Sequence, residues 1–166
     1  MALKSEVSRL YLAKIQTDLL RQLTLPAGAA VTLTANVAGS TYGVWADVAL
    51  AATILAPTLV AGVVVSAPSA TDVFTVDIGS CLGFANAAAV IAGGAPAIAA
   101  AHRAEVRIDW AIVVVTAVGE YARYGGFIPL TFPISIPAGV GIIGRCYGVT
   151  AAAVTIGVSL VCVTGF

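Results

Sequence analysis

An all-β sandwich is the fold class this sequence predicts, and three observations predict it. Residues 103–110 alternate without error, with Arg103, Glu105, Arg107 and Asp109 against Ala104, Val106, Ile108 and Trp110. Near the C-terminus, Val154, Ile156, Val158, Leu160 and Cys162 alternate with Thr155, Gly157 and Ser159. Successive side chains of a strand point to opposite faces, so each stretch reads as a strand, the first with one wet charged face and one buried face. Finally, such stretches recur at a spacing of about 8–12 residues between Gly- and Pro-containing turns, with no convincing helix between them. The rhythm indicates an all-β sandwich or barrel rather than βαβ units, and the expected fold is a jelly-roll-like antiparallel β-sandwich. An N-terminal helix or arm over residues 1–23 precedes the sandwich domain of residues 24–166.

The arm is the most charged part of the chain, holding Lys4, Glu6, Arg9, Lys14, Asp18 and Arg21. Val7, Tyr11, Ile15, Leu19 and Leu23 repeat every four residues, Ser5 suits an N-cap, and Pro26 ends the pattern. Its apolar stripe predicts packing either on its own domain or on a neighbouring subunit.

The next stretch reads as strand, turn, strand: Leu23–Leu25, then Pro26-Ala27-Gly28, then Val31–Ala35. The loop Gly39–Gly43 leads to Val44–Leu50, and Leu59–Val65 is apolar on both faces, as a buried strand would be. After the turn Ser66–Asp72, Phe74, Val76 and Ile78 oppose Thr75 and Asp77. Gly83–Ala101 is rich in Ala and Gly, which predicts a short helix or a tightly packed loop. Arg103–Val118 reads as a long central strand that begins at the surface. Beyond the loop Gly119–Gly126 come Phe127–Phe132, Ile134–Ile136, a second Pro-Ala-Gly turn at Pro137–Gly139, and Ile142–Tyr147. In both Pro-Ala-Gly turns proline lacks an N–H and glycine tolerates the turn, so each ends a strand at a sheet edge or corner.

Composition bounds the function. The 166 residues are 60% hydrophobic and 10% charged, with a mean hydropathy of +1.02. Soluble domains carry roughly 25% charged residues, so this chain has too little charge to cover its surface. It must therefore sit in a membrane or bury surface against other subunits. The net charge of zero excludes the basic field of a nucleic-acid binder. Val48–Val65 and Ile78–Ala101 are long and uncharged, but Pro57, Asn86, Gly93, Gly94 and Pro96 and the absence of flanking basic clusters argue against membrane helices. The charged N-terminus argues against a signal peptide and for synthesis in the cytoplasm.

Nothing in the residues names an enzyme. Cys81, Cys146 and Cys162 lack metal-site spacing and read as buried apolar residues. Gly139, Gly141 and Gly144 spell GxGxxG, yet a strand follows where a nucleotide site needs a helix. His102 stands alone in sequence, with no neighbouring Cys pair or carboxylate cluster to complete a metal centre. It is expected at a surface or interface beside Arg103. No cofactor is implied. The alternating charges of 103–109, with Asp72 and Asp77, predict cross-strand or intersubunit ion pairs. The loop around Glu120, Tyr121, Arg123 and Tyr124 concentrates aromatic and charged groups, the residue types enriched at binding hot spots.

The run Pro129-Leu-Thr-Phe-Pro133-Ile-Ser-Ile-Pro137-Ala-Gly139, followed by Arg145 and the alternating Val154–Val163, resembles small virion structural proteins of tailed bacteriophages, above all head decoration (cement) proteins. The resemblance covers about the last third of the chain and the overall strand rhythm. It implies a β-sandwich, often trimeric, that sits on the capsid and staples neighbouring capsomers, with no catalytic residues to carry over. The expectation is a homo-oligomer, a trimer, that binds the major capsid protein on the virion surface, and neither nucleic acid nor membrane. Tyr11, Ile15, Leu19, Glu120, Tyr121, Arg123 and Tyr124 would make the contacts. The competing expectations are a tail or fibre-associated or receptor-binding jelly roll, and a helical membrane protein.

Overall fold

The computed structural model describes residues 22–66, 68–70, 72–110 and 127–164. The elements are β1 (Gln22–Leu25), β2 (Val31–Thr34), β3 (Ala46–Ala49), a 3-10 turn at Ala51–Thr53, β4 (Thr58–Ser66) and β5 (Asp72–Ser80). There follow α1 (Ala87–Ala92), α2 (Gly94–Ala101), β6 (His102–Trp110), β7 (Phe127–Ile136), β8 (Ile142–Gly148) and β9 (Thr155–Thr164). All pairing is antiparallel. One sheet runs β1-β9-β4-β7 with β2 also on β9, and the other runs β3-β8-β5-β6. From β2 onward, the orders 2-9-4-7 and 3-8-5-6 are those of a jelly roll.

Strand β9 organises the five-stranded sheet. On one edge it pairs with β4, and on the other it takes β1 opposite Leu160–Val163 and β2 opposite Thr155–Val158. The first Pro-Ala-Gly turn is thus an excursion within one edge rather than the tip of a hairpin. Pro26 has no N–H to give to β9, so the chain leaves the ladder there and rejoins it at Val31. Strand β7 is the opposite edge and also contains prolines, which suit an edge. Its register against β4 jumps from Val60↔Ile134 to Gly62↔Pro129, so Leu130–Pro133 bulge out, and Phe132 is 82% exposed. The two expected segments on either side of Pro133 are one bulged strand.

The core lies between the sheets, where Leu33, Val60, Val63, Phe74, Val76, Ile136, Ile142, Ile156 and Leu160 are buried. Full burial of one such side chain contributes about 1.5–3 kcal/mol. A smaller cluster forms on the outer face of the four-stranded sheet, where Trp45, Cys81, Ala87, Val90, Ala101 and Ile143 bury one another beneath α1 and α2. The Ala/Gly stretch is therefore helical. Asn86 starts α1 by accepting the Ala89 N–H at 2.9 Å. Gly79 lets α2 close down, because a Cβ there would lie 2.8 Å from the Ala101 carbonyl oxygen and 2.9 Å from the Trp45 ring.

The expected central strand corresponds, in its described part, to β6, and here the expectation needs correction. Among the described residues β6 pairs only with β5, which makes it an edge strand. Its one charged face fits an edge, where water reaches the side chains. Val48–Val65 and Ile78–Ala101 form strands and short helices, and no helix among the described residues is long and apolar enough to cross a membrane. All three cysteines are free and buried.

Candidate functional site

Among the described residues, charge is confined to one sheet. Asp47 lies on β3, Asp72 and Asp77 on β5, Arg103, Glu105, Arg107 and Asp109 on β6, and Arg145 on β8. All four strands belong to the four-stranded sheet, while the strands of the other sheet hold no Asp, Glu, Lys or Arg. Residues 48–66, 78–101 and 127–144 are likewise free of charge.

The charged face converges on Asp77. Phe74, Val76 and Ile78 of β5 point into the core, so strand alternation sends Asp77 to the outer face. In register, Asp77 lies between Arg145 of β8 and Glu105 of β6. The Asp77 side chain is 0% exposed. Its Oδ2 accepts from Arg145 Nε and Nη2, each at 2.8 Å, and its Oδ1 lies 2.7 Å from His102 Nδ1. His102 is the first residue of β6, directly after α2, and its side chain is 44% exposed. Burial lifts the Asp77 carboxyl above the usual carboxylate range, against the opposing pull of Arg145 and His102.

Arg145 is itself held by aromatic rings. Its guanidinium carbon lies 4.2 Å from the Tyr42 ring centroid and 4.3 Å from that of Trp45. Tyr147 meets Tyr42 edge to face at 4.8 Å. The Tyr42 hydroxyl donates to Glu105 Oε1, and burial together with this bond raises the phenol well above its ordinary value. Gly43 allows this loop to lie against β2, since a Cβ there would overlap the Thr34 carbonyl. Trp45 Nε1 is buried without a hydrogen-bond partner among the described residues.

A second carboxylate does structural work. Asp72 accepts from the Thr150 N–H at 3.2 Å, the Thr150 hydroxyl at 3.1 Å and the Val73 N–H at 2.8 Å, which ties down the β8–β9 connection.

Three of the exposed apolar side chains, Leu50, Leu55 and Leu82, lie in connections at one end of the sandwich. Leu50 and Leu55 flank the 3-10 turn, and Leu82 follows β5. The Pro137–Gly139 turn joins them, as Gly139 N–H donates to the Ile54 carbonyl and Cys81 N–H to that of Gly141, which borders Ala51. Leu55 is 87% exposed.

The expected contact residues Tyr11, Ile15, Leu19, Glu120, Tyr121, Arg123 and Tyr124 lie outside the described residues. His102 is at the surface beside Arg103, and the fold brings Asp77, 25 positions away, to it and to its sequence neighbour Glu105. The Asp77–Arg145 ion pair crosses strands as expected of Asp77, but its partner lies outside the alternating stretch 103–109, and Tyr42 and Trp45 carry no sequence signal for their role. Gly139–Gly144 leads into β8, not into a helix. Taken as a class, the chain is a jelly-roll β-sandwich with one charged and one uncharged sheet. No family model matches the sequence, and no curated protein matches it either.

Proposed function

We propose that this protein is a non-enzymatic, self-associating structural subunit of a bacteriophage virion, specifically a decoration protein that binds the major capsid protein on the outside of the head. The observation that carries the reading is the bare apolar end formed by Leu50, Leu55 and Leu82, on a sandwich whose five-stranded sheet is without charge. Large apolar patches on soluble proteins mark interaction sites, because water leaves them at a gain of about 25 cal/mol per Å². Jelly rolls are a recurrent architecture of viral capsid proteins, which supports the reading by analogy of fold alone. In this reading the charged sheet stays in water and sister copies, as a trimer, and capsid subunits cover the apolar end.

Size-exclusion chromatography with light scattering tests the association, with a trimer expected; a stable soluble monomer would overturn it. Imaging of the particle tests the location. Density on the head is expected, and density confined to the tail or fibres would transfer the protein to that part of the virion.

A further inference from the structure

We infer that His102, Asp77 and Glu105 form a binding site for a divalent transition-metal ion of the zinc type. Each offers one ligand atom, and the three atoms lie within 4.8 Å of one another. One imidazole and two carboxylates are a donor set that suits such an ion.

The surroundings are built as a metal site requires. Ligating carboxylates are normally held by outer hydrogen bonds that aim the free oxygen. Arg145 takes Asp77 Oδ2 and leaves Oδ1 turned toward His102. The Tyr42 hydroxyl donates to Glu105 Oε1. Access is open, since His102 and Glu105 are exposed while Asp77 forms the buried floor.

Charge points the same way. Two carboxylates stand directly opposite across the β5–β6 ladder, an unfavourable arrangement for like charges. Arg145 meets Asp77 from the β8 side. A cation between Oδ1 of Asp77, Glu105 and His102 Nδ1 offsets the repulsion between the two carboxylates. It takes the place of the hydrogen bond now joining Asp77 to His102, and water completes its coordination on the exposed side.

Three ligands with an open position predict one ion per chain and moderate affinity. The test is calorimetric titration of chelator-stripped full-length protein with zinc chloride, beside His102→Ala and Glu105→Gln. Both substitutions are at exposed positions, and circular dichroism checks that each variant folds. The expected result is one equivalent of zinc bound by the wild type and at least about 100-fold weaker binding in each variant. Cobalt(II) titration adds a coordination readout: visible absorption of a low-coordinate ion is expected in the wild type and absent from both variants. Wild-type binding no tighter than that of the folded variants would overturn the inference, as would zinc binding that leaves cobalt in its aqueous spectrum. Neither result depends on the oligomeric state or on the presence of a capsid.

Discussion

Asp77 and Arg145 occupy directly paired positions on β5 and β8, and the arginine closes both Nε and Nη2 on one oxygen of a carboxylate that water does not reach. The pair joins the second and third strands of the charged sheet, and stacking on Tyr42 and Trp45 holds the guanidinium in the same place.

Removing Arg145 leaves the buried Asp77 with His102 as its remaining partner, and breaking a buried pair in this way costs about 3–5 kcal/mol. Arg145→Met should lower the urea-unfolding free energy by that amount. The double variant Arg145→Met, Asp77→Asn should recover part of the loss, since neither charge then remains. A double-mutant cycle from equilibrium denaturation measures the coupling, and additive losses would show that the pair contributes no mutual stabilisation.

Gly148 gives Asp72 its room. A Cβ at that position would lie 2.2 Å from Asp72 Oδ2 and 2.7 Å from Val154 Cγ2. Gly148→Ala should force the carboxylate off Thr150 and cost about 1–3 kcal/mol, the penalty for leaving a buried polar group without its partner. In wild-type protein the Thr150 amide should be protected from hydrogen exchange, and in the variant that protection should fall.

The buried thiols make the fold sensitive to alkali. Burial pushes Cys146 and Cys162 up to about 12 and Cys81 up to about 11, from an ordinary value of 9.0. Above pH 9 the unfolded chain releases thiol protons that the folded chain keeps. Stability from these groups is therefore complete below about pH 9 and declines from there toward pH 12. Urea midpoints measured between pH 7 and pH 10.5 should fall with pH, and less steeply in the Cys146→Val, Cys162→Val double variant. The native thiols should also resist an aromatic disulfide reagent at pH 8 and react once urea unfolds the chain.

Leu55 tests the association without threatening the fold. Its side chain is almost fully exposed, so Leu55→Asp should change the unfolding free energy by no more than about 0.5 kcal/mol. If the Leu50–Leu55–Leu82 end is a contact, the variant should shift toward monomer in light scattering. Phe132→Asp, on the β7 bulge, asks the same of the edge strand.

The sequence by itself determined the strands, because alternation is a property of neighbouring residues. The alternating stretches 103–110 and 154–162 coincide with β6 and most of β9, although β9 is buried on both faces, and the shortage of charge was plain from composition. Only tertiary structure decided the strand order, the edge position of β6 and the reading of Pro26–Gly28 as an excursion within one edge. It also assembled the cluster: Asp77 lies 25 positions from His102 and 68 from Arg145. Tyr42 and Glu105 are separated by 63. Local pattern records which way a side chain faces within its own strand. The partner across the ladder is set by register and sheet order, which arise only when both sheets close over a shared core.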